Sequence, residues 1–155
     1  MYKKILVPHA GSTGGDEALK HAIHIAKSNS AKIIILHVLE DLPNLPLLLH
    51  QDQIARVKQQ LNEVKETMKK AIEPEMAERI KLCEKEGVKS DIKIVTGFPE
   101  DAIMEIVADQ KIDLIVMAKR KKLKGIKRLL MLGSVSRKVI EHVSCPVLLI
   151  DIEKK

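Results

Sequence analysis

At 155 residues the chain has the length of one domain, enough to bury about two-thirds of its unfolded surface without disulfide or metal staples. With 45% apolar and 31% charged residues it is neither disordered nor fibrous, and a net charge of +6 favours anionic partners in general. Aromatic residues are nearly absent (Tyr2, Phe98 and no Trp), so the core must be aliphatic and the stacking platforms typical of single-strand nucleic-acid binding are missing.

Two cysteines, Cys83 and Cys145, form no CxxC pair and no metal-type Cys/His spacing, which predicts reduced thiols in a reducing compartment. The apolar start at residues 5–7 is cut short by Pro8, too early for a signal peptide, and no apolar run approaches the ~20 residues that span a bilayer. The expectation is a soluble, cytoplasmic chain forming a single domain over residues 1–155.

Residues 5–7 (Ile-Leu-Val) predict a first strand, followed by the Gly/Ser/Thr-rich turn Pro8-His9-Ala10-Gly11-Ser12-Thr13-Gly14-Gly15. Ala18, Leu19, Ala22, Ile23 and Ala26 then make one apolar stripe of a helix, with Asp16 and Glu17 placed well for its positive end. The run at 33–38 is a second strand, apolar throughout except His37. Residues 40–52 (EDLPNLPLLLHQD) read as a loop or lid with two prolines. A long helical stripe follows: Ile54, Val57, Leu61, Val64, Met68, Ile72, Met76, Ile80 and Cys83. Pro74 within it predicts a kink or a split, and Gly87 a stop. Residues 92–95 alternate at their start, as suits a strand near a sheet edge. Pro99 opens a third helix with Glu100 and Asp101 in its first turn and Ala102, Ile103, Ile106 and Val107 as its core face. Residues 114–117 are the fourth strand. Ser134 predicts the N-cap of a last helix that uses Val135, Val139, Ile140 and Val143, and residues 147–150 after Pro146 form the fifth strand.

Strands apolar on both sides and alternating with helices predict an α/β fold: one five-stranded parallel sheet with right-handed crossovers and helices on both faces. In such a sheet, ligands bind beyond the carboxyl ends of the strands where strand order reverses. Three segments then matter: the turn after strand one, Val38 after strand two, and the stretch from Met117 and Ala118 through Ser136 after strand four. The first turn can cradle an anion on backbone N–H groups at a helix N-terminus, or serve only as a connection; its spacing is neither GxGxxG nor a P-loop. Leu132-Gly133-Ser134-Val135-Ser136 offers a second such turn, or a simple cap. Residues 119–128 (KRKKLKGIKR) carry seven basic side chains in ten, open to a small phosphate ligand, to a polyanion such as duplex backbone, or to water alone.

Other chemistry finds thin support. His21 and His24 lie three apart on the first helix without the carboxylates or thiols of a metal site. His9, at a strand end, can touch a ligand but defines no reaction. GxSxG and HExxH are absent, and no cysteine carries a catalytic signature. No catalytic residue and no metal site is assigned.

Four blocks nonetheless stand together in order: KKILVPHAGSTGGDEALKHAIHIAK, IIILHVLE, VTGFPEDAIMEIVADQKIDLIVMA and LLMLGSVSRKVIEHVSCPVLLI. They resemble the universal stress protein family over nearly the whole chain, least so at residues 42–89. The resemblance implies a Rossmann-like three-layer sandwich of the adenine nucleotide alpha hydrolase type, a homodimer through residues 146–152, and a role in stress resistance. One branch binds ATP, which implies an adenine nucleotide here, AMP or ATP with Mg²⁺, as a regulatory ligand on Pro8, His9, Ala10, Gly11, Ser12, Val38, Met117, Ala118, Lys119, Arg120, Gly133, Ser134, Val135 and Ser136. Gly133 and Ser134 match the last pair of that branch's Gly-x-x-Gly…Gly-Ser phosphate loop, and Val38 keeps the place beside the adenine. Ala118 and Lys121 stand where its first glycines are expected, and Ala10 where an aspartate contacts the adenosine. Glycine tolerates close backbone approach and positive φ, which Ala and Lys resist; Lys119, Arg120 and Lys121 offer direct charge in its stead. The alternative is a dimeric interaction module of the same family that binds no nucleotide.

Overall fold

The computed structural model describes residues 1–40, 50–119 and 133–151. They form, in chain order, β1 (Lys4–Pro8), α1 (Thr13–Asn29), β2 (Lys32–Glu40), α2 (Gln51–Lys85), β3 (Ser90–Gly97), α3 (Pro99–Gln110), β4 (Leu114–Ala118), α4 (Ser134–His142) and β5 (Val147–Ile150). The five strands make one sheet in the order β3-β2-β1-β4-β5, and every pairing is parallel. The α/β fold with a five-stranded parallel sheet is as the sequence predicts. β3 lies at one edge, as its alternating pattern implies, and β5 at the other.

Side-chain parity divides the core. Ile5, Val7, Ile33, Ile35, Leu114 and Val116 pack beneath α1 and the C-terminal half of α2. Leu6, Ile34, Leu36, Ile115 and Met117 pack beneath α3 and α4. The three central strands are therefore buried on both faces, which is why their sequences are continuous aliphatic runs without alternation. Helix α1 approaches the sheet through a stripe of small residues, Gly14, Gly15, Ala18, Ala22 and Ala26, all buried. Ser12 caps it, its hydroxyl accepting from Gly15 N at 3.3 Å.

Two expectations need correction. Pro74 does not split α2, which runs unbroken over 35 residues. The proline sits on an exposed face, where water can serve the carbonyl that its ring cannot. Ser134 is not the N-cap of α4 but its first helical residue; Gly133, extended at φ −64° and ψ 161°, takes the cap position, and its carbonyl accepts from Arg137 N at 3.0 Å. Of the expected loop at 40–52, Glu40 completes β2 and residues 51 and 52 open α2, while 41–49 lie outside the described residues.

Candidate functional site

The sheet order reverses between β1 and β4, which are hydrogen-bonded neighbours paired Ile5 to Leu114 and Leu6 to Ile115. Because they run parallel, the chain leaves both at the same end of the sheet. The segment after Pro8 and the segment after Ala118 therefore flank a single crevice, and β2 delivers Val38 beside it.

Parity sorts the candidate residues by face. Val38 and Val135 pack against the cluster that holds Met117, on the side of α3 and α4. Met117 and Ser136 are themselves buried, at 5% exposure each. Ala118 turns to the opposite cluster. Gly133, with no side-chain cap bond, presents the first turn of α4 to this end of the sheet, and that turn contains no acidic residue. A helix start whose cap brings no side chain and whose first turn holds no carboxylate keeps its positive end available for an anion.

The turn after β1 is different, because the protein has already filled it. The His9 ring is buried against α1, so close to Gly15 that a Cβ there would lie 2.8 Å from ring atoms. The Gly11 N–H donates to His9 Nδ1 at 3.0 Å, and His9 Nε2 lies 3.0 Å from Asp16 Oδ1. With Nδ1 accepting, the ring proton belongs on Nε2 and points to Asp16. Arg79 reaches in from α2: its Nε lies 3.0 Å from the same Asp16 oxygen and 3.2 Å from His9 Nε2, and its Nη1 donates to Glu75 O at 2.7 Å. Since Nε2 already bears a proton, the carboxylate is the true acceptor for Arg79. Burial, reinforced by the Arg79 charge, lowers the His9 pKa below its ordinary value and keeps the ring neutral. Burial works against the Asp16 charge, but hydrogen bonds from Arg79 and His9 overcome it and hold that carboxyl below its usual range. His37 on β2 completes the network, its Nδ1 lying 2.8 Å from the His9 carbonyl oxygen.

Ala10 and Ser12 remain exposed at this turn, with Gly11 partly buried at φ +73°, a conformation glycine adopts without strain. Lys119 is drawn aside: its N–H donates to Ile150 O at 2.8 Å and its ammonium lies 3.4 Å from Asp151, toward β5. Arg120 and the rest of the basic run fall outside the described residues. Arg79 and Asp16 are members of this end of the sheet that the sequence reading left unassigned to it. Asp16 registered only as a helix-start charge, and no local pattern announces an arginine arriving from about seventy positions downstream.

His21 and His24 are exposed, and among the described residues no three His, Cys, Asp or Glu side chains could together hold a metal. Burial pushes the Cys83 and Cys145 thiols up, so neither is poised as a thiolate. No helix among the described residues is long and apolar enough to cross a membrane.

The same architecture recurs in known proteins. The universal stress protein MJ0531 of Methanocaldococcus jannaschii is 36% identical, covering 100% of this chain and 85% of its own length. The solved structure of MJ0577 from the same organism superposes with a TM-score of 0.81 at 30% identity, covering 100% of this chain and 99% of that one. A universal stress protein solved in complex with cAMP superposes with a TM-score of 0.65 at 26% identity, covering 98% of each chain. The family model matches residues 1–151, so a sheet that reverses between β1 and β4 and a glycine-capped α4 are here the frame of a member of the universal stress protein family.

Proposed function

We propose that this chain is a stress-response protein that binds an adenine nucleotide as a regulatory ligand in the crevice between β1 and β4. The adenosine lies against Pro8 and Val38 on the α3–α4 side, and the phosphate meets the first turn of α4 at Gly133, Ser134, Val135 and Ser136. The observation that carries this reading is that α4 begins on a glycine cap without a side-chain bond or an acidic residue, next to the switch point of the sheet. The cAMP complex of a relative supports an adenine ligand. The ligand is AMP, or ATP together with its Mg²⁺. The protein binds rather than catalyses, acts in the cytoplasm, folds as one domain, and forms a homodimer across the β5 edge, where Leu148 is 37% exposed.

Ser134→Asp tests the phosphate contact by placing a carboxylate in that first turn. Calorimetric titration should give saturable AMP binding to the natural protein and a loss of about tenfold or more in the variant, with little change in melting temperature. Equal affinity in both proteins would remove α4 from the site.

A second reading, an interaction module without nucleotide, has its own observation. The β1 turn spends the Gly11 N–H on His9 and the Gly15 N–H on Ser12, and it carries Asp16 at the helix start. It predicts no heat of binding and no rise in melting temperature with AMP or Mg-ATP at millimolar concentration.

A further inference from the structure

The His9 network ties the turn after β1 and the start of α1 to α2, about seventy positions downstream, and the bonds to its two ring nitrogens depend on one tautomer. Nδ1 accepts from Gly11 in the turn after β1, while Nε2 faces Asp16 of α1 and Arg79 of α2. We propose that His9 is a proton-operated latch: neutral, it holds the Gly11 turn closed against α1 and α2, and protonated, it releases that turn and so changes ligand affinity at the crevice.

The chemistry is local. A proton arriving on Nδ1 turns the acceptor into a donor, so the Gly11 N–H and the new N–H then face each other across 3.0 Å. Neither can donate to the other, and the turn must swing away. The same proton makes the ring a cation 3.2 Å from the Arg79 guanidinium nitrogen, which loosens the hold of α2. The charged and titratable groups around the ring are Asp16 from α1, Arg79 and Glu75 from α2, and His37 from β2. Glu75 Oε2 stands 3.6 Å from where a Cβ on Gly11 would be. Burial, Arg79 and His37 oppose the proton, whereas Asp16 favours it. The geometry cannot absorb protonation silently: the ring has no exposed surface, and Gly15 leaves it no room to rotate away. A buried imidazole that must break a turn to accept a proton is a switch for acid conditions.

The effect on ligand rests on the adenine-nucleotide reading; the latch itself does not, and two measurements separate them. The first is nuclear magnetic resonance of the free protein. Imidazole nitrogen shifts should show the Nε2–H tautomer at neutral pH, and titration into acid should move the Gly11 amide with the same midpoint as the His9 ring, below the ordinary 6.5. A ring that titrates at or above that value, or a Gly11 amide indifferent to its titration, would overturn the latch whether or not any nucleotide binds. The second compares AMP affinity in the natural protein and in His9→Asn, whose amide oxygen can accept from Gly11 but takes up no proton. From about pH 7.5 to about pH 5 the natural protein should lose about fivefold more affinity than the variant, a difference from which the titration of AMP itself cancels. Parallel pH profiles would refute the coupling. Absence of AMP binding at every pH would refute the nucleotide reading, and the resonance experiment on the natural protein would still decide the latch even if the variant failed to fold.

Discussion

A single pair of residues decides the character of the β1 turn: an imidazole and the glycine beneath it. Gly→Ala inside a helix ordinarily gains up to about 1 kcal/mol, because alanine restricts the unfolded chain and favours helical backbone. At Gly15 the sign reverses. The new methyl would sit 2.8–2.9 Å from His9 ring atoms, and that ring is pinned by Gly11 and Asp16 on its two nitrogens. Gly15→Ala should therefore destabilise the fold by about 1–3 kcal/mol, read as a shift of the urea midpoint at unchanged slope. A gain in stability would mean that the ring is not held where it is described. The same ring sets a pH dependence. Its folded pKa is lowered, so between that value and 6.5 the unfolded chain binds the proton that the native one refuses. Stability should fall as pH drops below about 6.5, by at most about 1.4 kcal/mol per pH unit from this group, and the fall should level off beneath the folded pKa. Urea unfolding at stepped pH, natural protein against His9→Asn, isolates that contribution; identical slopes would exclude it.

Among the elements, α2 spans two environments. From Ile72 onward it packs on the sheet, with Met76 and Cys83 fully buried, while Val64 and Met68 upstream are half exposed at 50% and 51%. The heptad-like spacing of its apolar residues is uniform along the sequence, so sequence alone could not reveal where packing begins. Burial is decided by the sheet beneath the helix, and the sheet ends where β2 and β3 end. Met76→Ala should cost about 2–4 kcal/mol and Met68→Ala less than about 0.5 kcal/mol in the same denaturant assay. Comparable costs would show that the upstream half is also clasped by the fold. The strands and helix starts were legible for a simpler reason: central strands buried on both faces need unbroken aliphatic runs, and Pro99 at a first helical position announces α3. Ser134 misled as a cap because serine is a common one, whereas the extended backbone of Gly133 takes the position and leaves the helix start uncapped by a side chain.

For the molecule as a whole, alternating strands and helices imply the parallel sheet, and four sequence blocks imply the family. What they could not convey is the division of the crevice into two unlike halves. Among the described residues the first turn of α4 carries no acidic side chain and no side-chain cap, while the β1 half is occupied by the protein's own His9 and Asp16, joined by Arg79 from about seventy positions downstream. The central claim is that an adenine nucleotide uses the first half and leaves the second as a latch. Adding AMP to the uniformly ¹⁵N-labelled protein and following amide shifts tests it most directly. Saturable shifts at Gly133, Ser134, Val135, Ser136 and Val38 are the predicted result. Shifts absent at millimolar AMP, or confined to the exposed half of α2, would contradict it.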